Sequence, residues 1–468
     1  MKNKHMRIRG VGIAAAVLLA SCTSLESVNG ERKISNAQNY YSDNSAAFLP
    51  GLENLPTAAF SSQQARYWWE SFGDPVLNQF ISQALQRSFD TRRALTNVEQ
   101  AEAILRGVRA DLVPSIDLNG QIDATDFERF GSGTALSGDW NLDLFGRTRE
   151  TVRQSQSNLA NSQANVQDVR RLTLARVSQA YIAYRTSEDR IKLSRANLTR
   201  LLENKSRINR LVETGYSSRL DLNRTETQIS QLQSNLAALE AQKSSTRNAL
   251  AIFVQVPPQE LQNILTQSAG SQRTLPDNIM PPNLGFIVRH RPDIRSAEWA
   301  LISATQSQRA AQLALYPDIT LGGDIFSLES AGRLANIGNL SSSLFANIAQ
   351  PLFGRGRLLA NIDQESAIVN QALVNYEETV LQAVLDIDTA LTNWARRQEQ
   401  LRFDKQSFDT AKEAQQLAKK LFFTGESNYT AVIVAENTRL AAEEEYLLSR
   451  QAAFESYIAY SAAIVPNW

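Results

Sequence analysis

Residues 147–214 read RTRETVRQSQSNLANSQANVQDVRRLTLARVSQAYIAYRTSEDRIKLSRANLTRLLENKSRINRLVET, 68 positions between Gly146 and Gly215 without a glycine or proline. Residues 357–424 repeat the feature, again 68 positions, between Gly356 and Gly425. Each run reads as one helix of roughly 100 Å at about 1.5 Å rise per residue, far longer than a globular domain uses. Both stop on the same signal, Thr214-Gly215 and Thr424-Gly425, the left-handed glycine that ends helices. A second glycine- and proline-free run then follows, 216–256 and 426–465. The chain is two copies of a long helical hairpin, a repeat that makes one elongated body more natural than three separate domains.

The register of the repeat is 210 residues. In the first long helix Val152, Leu159, Val166, Thr173 and Ala180 fall seven apart, and in the second Ile362, Val369, Tyr376, Ala383 and Ala390 do. A second stripe takes over four residues after Thr173 and Ala383. It runs Val177, Tyr184, Ile191, Leu198, Lys205, Val212 in one copy and Ile387, Trp394, Leu401, Phe408, Gln415, Phe422 in the other. Seven-residue spacing marks a coiled-coil seam, and the four-residue step has the form of a stutter.

Each long helix is preceded by strand-like sequence. Pro114–Ala124 alternates apolar and polar, Phe130–Gly138 is Gly/Ser-rich and reads as a loop, and Trp140–Phe145 alternates less cleanly. The pattern recurs at Pro317–Leu321 and Ser343–Phe353. Upstream, Asp74-Pro75 has the form of a helix N-cap and first residue, after an aromatic anchor at Trp68, Trp69 and Phe72. A helix follows over about Asp90–Leu112. Residues 66–256 form the first repeat, 257–292 a proline-marked linker with only short helical turns, and 293–468 the second repeat.

Four strands cannot close a barrel, and an open sheet in lipid leaves backbone groups unsatisfied. Two chains would give eight strands and a filled interior, three would give twelve and a lumen. The polar positions Asp117, Asn119, Gln121 and Asp123 favour a wet one. The fold class expected is mainly α with a membrane β-barrel. Two long helical hairpins plus two β-hairpins trimerise into a 12-stranded β-barrel and a periplasmic α-helical barrel.

The N-terminus agrees with export. Lys2, Lys4, Arg7 and Arg9 precede a short apolar core, Val11–Ala20, and Leu19-Ala20-Ser21-Cys22 resembles the bacterial lipobox. Residues 1–21 are the expected signal, Cys22 the expected lipid attachment point, and 22–65 an extended tether that packs against the body. Cys22 is the only cysteine. Removing 1–21 takes four of 48 Lys/Arg and none of 48 Asp/Glu, leaving a net charge of −4. No basic face for nucleic acid is present. Thr23 stands where an Asp would favour inner-membrane retention, so the outer membrane is the expected location.

With these residues in hand, the chain resembles the TolC-like outer-membrane factors, in the lipoprotein branch of RND-type tripartite efflux systems. The matching stretches are Trp68–Leu77 (WWESFGDPVL), Trp140–Arg147 (WNLDLFGR), His290–Leu321 (HRPDIRSAEWALISATQSQRAAQLALYPDITL), Gln350–Arg357 and the two Thr-Gly turns. The resemblance implies a homotrimeric passive duct in outer-membrane lipid. It would be served by a periplasmic adaptor protein and an inner-membrane RND-type transporter, and would carry drugs or other small toxic compounds. It places the tip and gate at Thr214, Gly215, Arg219 and Asp221 and at Thr424, Gly425, Tyr429 and Thr430. Gly215 and Asp221 match the family's Gly-x5-Asp spacing, a ring of acidic side chains at the narrow end. From the residues alone, Asp221 also reads as the N-cap of the return helix. Thr430 and Val434 stand where that family often has Leu and Asp, and the C-terminus lacks its glycine run.

Nothing in the sequence suggests an enzyme or a cofactor other than the lipid on Cys22. The mature chain has one histidine, His290, and no nucleotide, zinc-protease or nucleophile-elbow motif. Glu443-Glu444-Glu445 lies inside a helix and reads as a solvated face. Two alternatives stay open: the outer-membrane duct of a type I protein secretion system, and a lipid-anchored periplasmic coiled-coil spacer.

Overall fold

The computed structural model describes residue 34 and residues 67–125, 129–215, 218–267, 273–276, 284–330, 341–427 and 429–464. After a short 3-10 turn at Trp68–Phe72 come α1 (Pro75–Arg87), α2 (Phe89–Ala110), β1 (Ser115–Thr125), β2 (Arg129–Asn141), α3 (Arg147–Glu213) and α4 (Arg219–Val254). Then follow α5 (Pro258–Gln267), α6 (Leu284–His290), α7 (Pro292–Leu313), β3 (Asp318–Ser330), β4 (Ser341–Ala349), α8 (Arg355–Phe423) and α9 (Tyr429–Ile464). The strands form one antiparallel sheet in the order β1-β2-β3-β4.

Three details differ from the sequence reading. The Gly/Ser-rich stretch Phe130–Gly138 is not a loop but most of β2, paired on both sides from Gly131 to Asp139 and on the β3 side as far as Asn141. Close packing across the sheet is seen one strand over. A Cβ on Gly322 in β3 would come within 2.2 Å of the Phe345 ring lying over it from β4. The ladder also stops at Asn141. Residues 142–146 turn the chain into α3, and the Asp143 carboxylate accepts the N–H groups of Thr148 and Arg149, each at 3.0 Å. Burial pushes the Asp143 pKa up, but those two bonds and the Arg149 guanidinium outweigh it and hold the group below its ordinary value. Finally, α5 takes ten residues of the stretch read as linker with only short helical turns. It is amphipathic and buries Leu261 and Leu265.

The helices lie side by side in one layer that changes membership at its waist. Near the sheet the order is α2–α3–α7–α8, and beyond the waist it is α4–α3–α9–α8. This exchange explains the stutter. Above it α3 packs against α2 and α7, below it against α4 and α9, so its buried stripe must rotate. Thr173 and Val177 are both buried, as the overlap requires.

Two apolar clusters form the waist. The first joins Trp68, Phe72, Leu77 and Phe80 to Leu174, Tyr181 and Tyr184 of α3 and to Phe454 and Ile458 of α9. Asp74 caps α1 by accepting from Val76 N–H at 3.0 Å and Leu77 N–H at 3.3 Å, and it also accepts the Tyr181 hydroxyl at 2.6 Å. The second cluster joins Leu284, Ile287 and Val288 of α6 to Tyr376, Val380 and Val384 of α8.

Between the clusters, two buried arginines hold the end of α9. Arg171 donates to Ala462 O at 3.1 Å, and Arg291 to Ala463 O at 3.4 Å and Ala383 O at 3.1 Å. Asp293 lies 3.0 Å from Arg291 and 3.6 Å from Arg171. The last carbonyls of a helix have no partner within it, and cations there also meet the negative end of its dipole. His290 ends α6 and stacks on Phe286 with centroids 4.2 Å apart.

Candidate functional site

The strand registers sort the sheet into two faces. One carries Ile116, Leu118, Leu136, Trp140, Ile319, Leu321, Ile325, Leu344 and Ile348; the other carries Ser115, Asp117, Asn119, Ser137, Asp139, Asn141, Thr320 and Asp324. Gln121 and Asp123 pair with Gly133 and Gly131 of β2, and their side chains lie outside the described ones. The polar face is linked by its own hydrogen bonds, Asn119 Nδ2 to Ser137 Oγ at 3.2 Å and Ser343 Oγ to Asp324 Oδ2 at 3.2 Å. The apolar face is uncovered, with Leu344 92% exposed and Leu118 77%. Among the described strands, β1 and β4 each have one edge without a partner.

The helical layer has the same incomplete form. Its outermost members are α2 and α8 near the sheet and α4 and α8 below the waist. Along α8, Leu359, Val374, Leu381, Leu385, Phe403 and Leu417 are exposed, and α2 exposes Leu95 and Ile104. Among the described residues no helix is long and apolar enough to cross a membrane.

At the far end, the tip residues fall into two separate turns. Thr214 closes α3 by donating its hydroxyl to Arg210 O at 2.9 Å, and Gly215 follows at φ +78°, where a side chain would be strained. The N-cap of α4 is Ser218, not Asp221. Ser218 Oγ accepts Asp221 N–H at 3.2 Å, and its hydroxyl meets the Asp221 carboxylate at 3.0 Å. Asp221 is thus the third-residue partner of a capping box, a pairing the spacing Ser218-x-x-Asp221 would have revealed. Arg219 opens α4 and is exposed.

The second turn is a glycine-ended helix stop. Thr424 caps α8, Gly425 N–H donates to Phe422 O at 3.1 Å and Glu426 N–H to Leu421 O at 2.9 Å. Gly425 takes φ +78°, Tyr429 opens α9, and Thr430 is exposed. Phe423 is 82% exposed beside the turn, a feature not singled out from the sequence.

Cys22 lies outside the described residues. The Glu443–Glu445 run is more than a solvated face: Glu443 pairs with Arg439 and Glu444 with Arg190. Among the described residues no group of three His, Cys, Asp or Glu side chains could hold a metal ion.

Comparison with known proteins gives this geometry a context. The family model described as outer membrane efflux protein matches residues 80–253 and 287–464, most of the chain. Nodulation protein T of Rhizobium leguminosarum bv. viciae is 28% identical over 403 residues, covering 85% of this chain and 83% of that protein. The probable outer membrane lipoprotein SilC of Salmonella typhimurium is 26% identical over 418 residues, covering 84% and 87%. Among solved structures, the outer-membrane channel OprN superposes with a TM-score of 0.76 at 24% identity over 88% of this chain and 94% of that one. At that identity the likeness speaks for the fold alone.

Proposed function

The chain belongs to the outer membrane efflux protein family, and from that premise we propose that three copies close into a passive efflux duct. The observation that carries the trimer is the coincidence of edges. A four-stranded sheet with one uncovered apolar face and two open edges sits on a layer whose edge helix α8 is apolar outside. In lipid every strand edge must be paired, and a twelve-stranded ring satisfies all edges while leaving room for a channel. The polar face with Asp117, Asn119, Asp139 and Asp324 then lines the lumen, and the apolar face meets lipid.

The helices carry the lumen across the periplasm. Beyond the Tyr376–Ile387 waist, α8 runs on for 36 residues to Phe423, about 54 Å at 1.5 Å per residue. The tips, far from the membrane, are where an adaptor protein and an inner-membrane RND-type transporter would be met. Three Asp221 carboxylates around the axis would repel one another and draw in cations, with Arg219 offsetting part of that charge. Cys22 would carry the lipid that holds each copy in the outer membrane. The duct exports small toxic compounds delivered by the transporter, and no residue of it performs a reaction.

Purified protein in planar bilayers should form discrete channels, with Asp221→Ala raising the conductance of the closed state. Protein that incorporates and forms no channels would overturn the duct in favour of a spacer. A deletion strain with unchanged dye, detergent and antibiotic sensitivity but a missing secreted polypeptide would move the substrate from small molecules to protein.

A further inference from the structure

The face of α3 that meets the polar side of the sheet continues down the helix into a groove. At the junction, Thr148 and Thr151 of α3 line a polar cleft together with Ser115, Asp139, Asn141 and Thr320 of the sheet. Counted on in sevens, Thr148 leads to Ser162, Val169 and Arg176, and Thr151 leads to Asn165 and Leu172. All five of those side chains line a second groove, of about 480 Å³, between α3 and α2. Residues seven apart share one face of a coiled-coil helix, so this groove opens on the side to which the sheet turns its polar face. It spans positions 15 to 29 residues along α3 from Arg147, roughly 22 to 44 Å from the sheet.

Two guanidinium groups meet there over one carboxylate. Asp90, in the first turn of α2, pairs with Arg93 and lies 3.6 Å from Arg176, and the two arginine side chains are 76% and 56% exposed. The other acid of the groove, Asp168, is taken up by buried Arg171, which donates to it at 2.6 and 2.9 Å. One positive charge is left over. Ion pairs as exposed as these hold weakly, so Arg93 or Arg176 can turn to an incoming anion. Leu172, which is exposed, and Val169 supply an apolar wall, and Asn97 adds an amide. The arginine pair is peculiar to the first repeat. At the offsets of 203 and 210 residues that relate the halves, Arg93 matches Ser296 and Arg176 matches Asp386. The repeat therefore folds without these arginines, and packing does not account for them.

We propose that this groove is a resting site for amphiphilic organic anions. A carboxylate or sulfonate is held by Arg93 and Arg176, with its apolar body on Leu172 and Val169. Planar guanidinium groups match such head groups in bidentate fashion, and the volume is that of a drug-sized pocket. The site rests on the duct reading, which makes this face the lumen wall, and it names organic anions as a class of cargo. Three copies would set three such grooves at one height. Weak, water-exposed binding suits passage, because a duct must release what it holds.

The test uses the full-length trimer in amphipol, with 2-naphthalenesulfonate as the anion and 2-naphthylmethylammonium as a cation of the same body. Equilibrium dialysis should show the anion bound and the cation free. Arg93→Ser combined with Arg176→Gln should weaken anion binding about tenfold or more. Asp90→Asn removes the competing carboxylate and should tighten binding several-fold, a gain that a misfolded chain cannot give. Equal binding of the two probes, a double variant that binds like its parent, or an Asp90→Asn chain that binds no tighter would each overturn the site. In planar bilayers the anion should interrupt the single-channel current of the parent and leave that of the double variant steady. Channels that the anion never interrupts would overturn the resting site while the duct stands. Anion binding by a protein that forms no channels would overturn the duct and, with it, the luminal role of the groove.

Discussion

The two hairpins that run from waist to tip share a length and a Thr-Gly turn, but they are held together differently. The first buries Ile191 and Ile208 of α3 and Ile229 and Leu239 of α4, with Thr225 and Thr246 of α4 beside them, a largely aliphatic seam. The second buries Gln415 of α8 and Arg439 and Ser449 of α9, with Ala411, Val432 and Leu440, while Phe403, Leu417 and Phe423 of α8 face outward. Buried atoms without a hydrogen-bond partner include Gln398 Nε2, Asp404 Oδ2 and Arg439 Nη2. Each unsatisfied buried polar group costs free energy that an aliphatic one would not. At the waist the polarity is reversed. In the first half Tyr181 donates to Asp74 at the start of α1, and Arg185 donates to the Tyr181 hydroxyl and to Leu265 O of α5, where the matching positions of the second are Leu391 and Ala395. Equal helix lengths therefore do not imply equal lateral strength, and the second hairpin should be the looser one.

The largest effect that tests this contrast comes from Leu239→Ala, which should cost the first hairpin about 2–4 kcal/mol through lost burial and a cavity. Gln415→Ala should change the second by less than about 1 kcal/mol. Hydrogen exchange on the flanking amides measures both, and equal costs would break the comparison.

Next comes the waist. Burial, reinforced by the hydrogen bond to Asp74, pushes the Tyr181 pKa up to about 12 from 10.0. The folded chain keeps this proton between those values while the unfolded chain loses it. The stabilisation present below pH 10 is thus lost as pH rises through about 12, and it amounts to about 2–3 kcal/mol. Tyr181→Phe should flatten that part of the stability–pH curve, whereas Leu391→Met should leave it as it is.

Replacing the seam pair Arg439 and Glu443 together by leucine should stabilise the second hairpin by about 1–3 kcal/mol, since an apolar pair carries no desolvation cost. Thermal unfolding of the solubilised trimer reports the sign, and a lowered midpoint would show that the charges hold the seam.

The smallest expected effect is in the unmodified protein. Amides of α8 and α9 below the waist should exchange about tenfold faster than those of α3 and α4. Uniform protection would mean that contacts between copies even out the difference.

Much of this was legible in order along the chain. The heptad stripes are the buried or half-buried faces from Val152 to Val212 and from Ile362 to Gln415, with only Phe422 at the exposed margin. Helix signals are local, and a seven-residue repeat states which face is covered. The strands were harder. Phe130–Gly138 looked like a loop because a glycine strand has no periodicity of its own and is fixed by the ladders on either side. At the tips, the glycine stops are visible because positive φ demands glycine, whereas reading Asp221 as a single cap hides its pairing with Ser218.

The sequence by itself determined the two long hairpins, their 210-residue register, the strand shortage that calls for partners, and the resemblance to outer-membrane efflux ducts. These rest on breaker positions and periodicity, which act within a few turns of chain. Only the tertiary structure decided why the seam steps at the waist, because neighbouring helices are exchanged there. It also decided that Arg171 and Arg291 close the end of α9, that Arg93 and Arg176 meet over Asp90, and that the second seam is polar inside. Each depends on groups brought together from distant positions, and the chain's local pattern does not record that proximity.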